Sequence, residues 1–387
     1  MSNGSNQDLV VGLDAGGTRT RAVLASAATG RTVGEGAAGP GNALTVPLPR
    51  LTDHLAEAIG RSVPERVRGS VVAVVGGFAG STGTGSADFG DFADREPGRL
   101  NALAALTEAL RRLGITARTV GVSSDIEAAF AAAPGTPADG LALVAGTGAV
   151  ATRVAGRRCT ATVDGDGWLL GDDGSGFWIG RGAVRAALRM ADGRGGPTTL
   201  ARAVGVALGL PADLLEGAQG AADEAERAGG ADGAADGTDR AGGAGRAAGA
   251  GEAGRTGAAA ARWSGPRREA YRMRLLPIVM AQPPITLARL APLVAEAARA
   301  KDPVAEAILR EAVDHLTAAV RALGPRPGER IVVTGGLLGP DGPLTAPLTG
   351  RLEDLGLTVD RVADGCRGAV ALARLDHGSP PRAAGTV

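Results

Sequence analysis

Lysine is almost missing from this chain of 387 residues: Lys301 stands alone against 40 arginines. That scarcity excludes a Walker-type phosphate loop, which needs a Lys after its glycines. It also excludes a protein kinase, with its strand Lys, and Schiff-base chemistry, with its Lys nucleophile. Lys301 itself lies in Ala-Arg-Ala-Lys-Asp-Pro, a surface helix boundary. The three histidines, His54, His315 and His377, fall in predicted helices or the tail, far from any Gly-rich loop, which argues against a Ser-His-Asp site. Two cysteines, Cys159 and Cys366, lack C-x-x-C spacing and read as small buried hydrophobes of a reducing cytoplasm, not as zinc or iron-sulfur ligands. Basic and acidic residues balance at 41 each, so no net field attracts nucleic acid or an anionic membrane. No run of about 18 apolar residues exists to span a bilayer. Met1 to Gln7 is polar and followed by a strand instead of a signal-peptide core, so the expected location is cytoplasmic.

What the chain has in abundance is glycine, 63 residues of it. Short apolar runs alternate with Gly-rich turns and Ala/Leu/Arg-rich stretches. Leu9–Asp14, Thr20–Ala25 and Thr32–Gly36 predict an antiparallel meander. A helix over Arg50–Arg61, a strand over Val71–Val75, a helix over Leu100–Leu113 and a strand over Thr119–Val122 follow it. The pattern restarts about 130 residues on, with strands predicted at Gly140–Ala145, Ala149–Val154 and Cys159–Val163, which suggests a duplicated core. Helices are expected at Gly176–Met190, Leu287–Ala300 and Pro303–Leu323, then a strand at Arg330–Thr334 and a closing helix over 366–376. Gly217–Gly257 holds 13 Gly and 14 Ala in 41 residues. Such a stretch buries too little to offset its ordering entropy, so 217–262 reads as a disordered insertion.

Three Gly-rich turns stand at strand ends: Asp14-Ala-Gly16-Gly17-Thr18, Gly146-Thr147-Gly148 and Thr334-Gly335-Gly336. Glycines let backbone N–H groups approach phosphate oxygens, and Thr18 adds a hydroxyl. Asp14 is placed to hold Mg²⁺ through water, or else caps a plain hairpin. Together the three turns resemble the actin/hexokinase/Hsp70 superfamily of ATP-binding folds. Asp125 follows Ser123-Ser124 at a strand end; it is either part of a helix cap or a general base on a substrate hydroxyl, and both hold if a serine caps. In Gly165–Gly180, Asp173 or Ser175 looks like a helix cap, which leaves Asp172 to meet ligand hydroxyls; Trp178 reads as core.

The order Asp14-x-Gly-Gly-Thr, Pro40-Gly41-Asn42, Ser-Ser-Asp125, Gly-Thr-Gly148, Gly-Trp-Leu-Leu-Gly-Asp172-Asp-Gly-Ser175 and Thr-Gly-Gly336 resembles the BadF/BadG/BcrA/BcrD ATPase family. Within that family the likeness is to its N-acetylglucosamine kinases. The resemblance implies an α/β, two-lobed, actin-like (ribonuclease H-like) fold with a duplicated βββαβαβα core and a cleft between lobes. The lobes would be 7–121 and 122–387, with the last helix packed back on the first. Asn42, Asp125, Thr147 and Asp172 would bind the amino sugar, with Asp125 the base on its 6-hydroxyl. Gly16, Gly17, Thr18, Gly146, Thr147 and Gly148 would cradle the phosphates of ATP, Gly335 and Gly336 its adenosine, and Asp14 would hold Mg²⁺. Relatives carry a Trp where this chain has Asp166, a change at the sugar N-acetyl pocket. Neither the iron-sulfur cysteines of the dehydratase-activating branch nor the zinc loop of the repressor/sugar-kinase branch is present. The implied activity is 6-phosphorylation of N-acetylglucosamine; the alternative is a conformational ATPase acting on a protein partner. The Leu/Ala-rich helices leave a homodimer open.

Overall fold

The computed structural model describes residues 7–81, 96–215 and 264–378, so the insertion expected at 217–262 lies outside the described residues. The meander forms as its turns dictate: β1 (Leu9–Ala15), β2 (Thr20–Ser26) and β3 (Thr32–Ala38) pair antiparallel in sequence. β4 (Val71–Phe78) joins β1 in parallel on its other side, and β5 (Thr119–Ser124) joins β4. β4 is buried along its whole length. An unbroken apolar run is what a central parallel strand covered on both faces requires.

The second sheet is built from β6 (Gly140–Ala145), β7 (Ala149–Ala155), β8 (Arg158–Asp164), β9 (Arg330–Thr334) and β10 (Thr358–Arg361). Its order, β8-β7-β6-β9-β10, repeats β3-β2-β1-β4-β5 with each strand number raised by five. The duplication expected from the sequence is therefore present in the strand order itself.

The helices complete the repeat. α1 (Leu48–Ser62) leads into β4, α2 (Pro97–Arg112) into β5, and α3 (Asp125–Ala131) leaves it. Between β8 and β9 the single helix of the first copy is replaced, among the described residues, by six: α4 (Gly176–Ala191), α5 (Leu200–Ala207), α6 (Ala212–Leu215), α7 (Gly265–Met280), α8 (Ala291–Arg299) and α9 (Pro303–Ala322). α10 (Thr345–Asp354) and α11 (Cys366–Gly378) then take the places of α2 and α3, giving βββαβαβα twice.

On one face of the first sheet, Leu51, Leu55, Ile59, Leu106 and Leu110 from α1 and α2 pack on Leu13, Leu24 and Phe78. Each such leucine is worth about 1.5–3 kcal/mol when buried. α11 covers the other face, with Val370 and Ala373 among Val10, Ala25 and Val75. It lies directly on the strand: a Cβ at Gly12 would stand 2.5 Å from Val370 N, and Gly368 presses on the backbone of α3 at Ala128.

One expectation changes, and the elements that the sequence reading left out include α7 and β10. Leu287–Ala300 is not one helix: a 3₁₀ turn covers Pro284–Leu290, and the α-helix starts at Ala291 with Pro292 in its first turn, where a missing N–H costs nothing. α7 buries only Tyr271 and Leu275, too little to print a stripe in the sequence. β10 is four residues, none of them fully buried, at a sheet edge.

Contacts divide the chain into two units. One comprises residues 1–144, 150–164 and 317–387 and contains nearly all of both sheets; the other comprises 145–149 and 165–316, and its described residues are mainly helical. In the helical unit Lys301 takes a left-handed φ of 64° just before α9. Asp302 accepts hydrogen bonds from Val304 N and Ala305 N at the start of α9 and from both hydroxyls of Thr198 and Thr199, so the boundary read from the sequence is a built cap. Cys159 and Cys366 are free and buried, and burial pushes the Cys159 thiol up to about 11. Among the described residues no single helix is long and apolar enough to cross a membrane.

Candidate active site

β1 delivers Asp14 at its C-terminal end, and the antiparallel register sets Arg21 directly opposite it. The loop between β10 and α11 closes on the pair. Arg21 Nη1 lies 3.3 Å from Asp364 Oδ2, and Gly365 N donates to Asp14 Oδ2 at 3.3 Å. The Asp14 carboxyl is raised above its ordinary value, first by burial and then by the charge of Asp364, against lowering by the Gly365 amide and Arg21. Ligand atoms of Asp14, Asp364 and Cys366 lie within 4.8 Å of one another. The two carboxylates suit a hard cation such as Mg²⁺; the thiol does not.

Asp125 directly follows β5, an edge strand of the sheet in which β1 is central. Ser124 caps α3 by accepting from Glu127 N at 3.1 Å, while Glu127 Oε2 accepts from Ser124 N at 3.1 Å, a complete capping box. The cap falls to Ser124, which frees Asp125 to line a cavity. Its Oδ1 accepts from Ile126 N at 3.0 Å. Burial, and next the negative charge of Asp14, lift the Asp125 carboxyl to about 6.

Asp14, Arg21, Asp125 and Asp364 share this cavity of about 680 Å³. Its far wall is the turn after β9. There Gly335 has φ 108°, a conformation only glycine takes without strain. Next to it Gly336 has no protein atom within 4 Å of where a Cβ would be, so the wall is open to an approaching group. Leu338, Pro340 and Val362 add an apolar side, and Arg361 a second cation.

The remaining expected residues form two further groups. Gly16–Arg19 is the β1–β2 loop, closed by Gly16 N to Arg19 O at 2.9 Å, with Gly17 and Thr18 exposed at its tip. Asn42 Oδ1 accepts from Leu44 N at 2.9 Å and Thr45 N at 3.0 Å, closing a turn anchored by Gly41 N to Gly16 O. Neither the loop tip nor Asn42 is among the cavity's lining residues.

In the helical unit, Gly146–Gly148 meets Asp172. Gly176 N and Phe177 N donate to the carbonyls of Gly146 and Thr147, and Ala149 N donates to Asp172 Oδ1 at 3.1 Å. Asp172 is buried with φ 57°, a left-handed conformation a non-glycine residue holds only when its surroundings fix it. Ser175 is the cap of α4, accepting from Trp178 N at 3.2 Å, and Trp178 packs edge-on against His315 with ring centres 5.1 Å apart.

Arg21, Asp364 and Arg361 escaped the sequence reading. Arg21 follows from the hairpin register once the loop is fixed at four residues. Asp364 lies between β10 and α11, the counterparts of the β5 and α3 that meet at Asp125, a signal hidden by the brevity of β10.

Two copies of one βββαβαβα order, with carboxylates at strand ends facing a glycine turn, define the actin-like class of ATPase folds. The profile of the BadF/BadG/BcrA/BcrD ATPase family matches residues 11–346, and the chain belongs to that family. The fold is similar to that of a putative N-acetylglucosamine kinase from Porphyromonas gingivalis, with 18% identity over 96% of this chain and 99% of that one and a TM-score of 0.60. It is also similar to one from Chromobacterium violaceum, with 20% identity over 95% and 99% and a TM-score of 0.56. No curated protein sequence matches the chain.

Proposed function

We propose that the protein transfers the γ-phosphoryl group of ATP to the 6-hydroxyl of an amino sugar, N-acetylglucosamine above others, in the cytoplasm. One observation carries this reading: Asp125, with its carboxyl raised to about 6, shares a cavity with Asp14 and an open glycine turn. A carboxylate of that strength is ionised at neutral pH yet basic enough to take a hydroxyl proton. Membership of an ATPase family supports the nucleotide, and the fold shared with the two putative N-acetylglucosamine kinases supports the sugar.

In this reading Asp125 removes the proton as the sugar oxygen attacks phosphorus, and the rest of the site positions and neutralises. Adenosine lies against Gly335 and Gly336. The amides of Gly16, Gly17, Gly146 and Gly148, with the hydroxyls of Thr18 and Thr147, meet the phosphates. Asp14, with Asp364 beside it, would hold Mg²⁺, which when bound draws charge off the phosphate oxygens. Asn42, Asp172 and Thr147 hold the sugar hydroxyls, with residues 7–121 and 122–387 as the two lobes.

ADP release measured against a panel of hexosamines tests this. Release that depends on N-acetylglucosamine, with a 6-phosphate product, is expected. Turnover indifferent to every sugar would instead support an ATPase acting on a protein partner.

A further inference from the structure

Glu127 is a fully buried carboxylate two residues beyond Asp125, at 1% exposure. The guanidinium of Arg158, 3.5 Å away, is half exposed, so most of the charge must be met by backbone. Burying a carboxylate is costly unless its oxygens are satisfied. The capping box does not explain that cost, because a glutamine at the same place would accept from Ser124 N equally well.

The second oxygen explains it. Glu127 Oε1 accepts from Cys159 N at 3.0 Å while Oε2 accepts from Ser124 N. Ser124 ends β5, the edge strand of the first sheet, and Cys159 lies in β8, the edge strand of the second. One side chain with two acceptors and no donor thus ties the edges of both sheets to the first turn of α3. That helix is only seven residues long, and the bond on the Asp125 carboxylate comes from its own neighbour, Ile126 N. The aim of Asp125 therefore follows whatever fixes this turn.

Taking Asp125 as the base proposed above, we infer that Glu127 is its positioning residue, clamping the start of α3 between the two sheet edges so that the Asp125 carboxylate stays directed into the cavity.

The test uses Glu127→Gln, which keeps size and packing but offers one acceptor and an NH₂ group, so one of the two amides loses its partner. In the full-length protein, kcat for sugar phosphorylation is expected to fall roughly 10- to 100-fold, the usual loss for a misplacement near 1 Å. KM for both substrates and the affinity for ADP should stay within about twofold, since ground-state binding is untouched. Glu127→Asp, which keeps both acceptors on a shorter stem, should recover part of the loss. Crystal structures of wild type and Glu127→Gln with ADP should show the Asp125 carboxylate displaced in the variant. An unchanged kcat, or an Asp125 carboxylate that has not moved, overturns the inference. So does a fall in kcat matched by an equal loss of folded protein. If the wild-type chain phosphorylates no sugar, the proposed function fails by itself, and the position of Asp125 in Glu127→Gln still decides the role of Glu127.

Discussion

Gly16–Thr18 and Gly146–Gly148 occupy the same place in two copies of one strand order, yet they are built to different ends. The first turn is exposed, and at Gly17 neither packing nor backbone conformation calls for glycine: a Cβ there would touch nothing within 4 Å. The second is pinned from beneath. A Cβ on Gly148 would come within 2.8 Å of Asp172 Oδ1, the oxygen already held by Ala149 N. Duplication supplied two glycine turns; divergence left one open and braced the other. The same split runs through the acids. Asp125 lines a cavity with its carboxyl raised and accepts from Ile126 N, the next residue along, whereas Asp172 accepts from Ala149 N, 23 positions away.

Replacing the acid that lines the cavity should do most. Asp125→Ala is expected to cut turnover by roughly 10²–10⁴, the span for a lost general base, with nucleotide affinity by titration calorimetry close to wild type. Retained turnover would move the reactive role elsewhere in the comparison. Next comes acid pH. In its proposed role Asp125 works ionised, so kcat should drop about tenfold per unit below pH about 6, the value to which its carboxyl is lifted, and level off above it. A flat profile between pH 5 and 7 would place the titrating group outside Asp125.

The turns themselves divide next. Gly148→Ala overpacks against a fixed carboxylate and should cost about 1–3 kcal/mol of stability, read in denaturant unfolding. Gly17→Ala should unfold within about 0.5 kcal/mol of wild type, as exposed substitutions do, while its affinity for ATP weakens. Equal stability losses in the two variants would erase the distinction between an open and a braced turn. The last effect has the opposite sign. A carboxyl whose folded value is raised favours the folded state below its ordinary range, and loses that contribution as pH climbs through about 6. At neutral pH its charge is therefore a cost, and Asp125→Asn should raise the melting temperature by a few degrees at pH 7.5, with a smaller gain at pH 5.

Local signals read well from the sequence because they act over a few residues. β1 is a short apolar run followed by glycine, β4 an apolar run that continues through Gly76 and Gly77 to Phe78, and the Ser-Ser-Asp sequence at the end of β5 carries its own cap. What stayed hidden depends on partners far along the chain. Asp364 joins the site through Arg21, 343 positions away, and its neighbour Gly365 reaches Asp14 across 351. Glu127 shows half of its role locally, as the last member of a Ser-x-x-Glu box; the other half, its reach to Cys159, exists only once the two sheets have met. α7 escaped for a different reason, since a helix that buries two side chains has no period to detect.

The second sheet also has a consequence in time. Every strand of the first sheet lies between Leu9 and Ser124, so it can assemble while the rest of the chain is still being synthesised. β6 must wait, because its central partner is β9, and Leu141 pairs with Ile331 across 190 positions of chain. Until the helices between them have been made, the apolar edge of β6 has no strand to its open side. Closing so long a loop is slow, and an unpaired apolar edge invites pairing with another molecule. Chains cut short within α4–α9 should therefore be the aggregating species of this protein, and a chaperone's hold on nascent chains should be strongest between the emergence of β6 and that of β9.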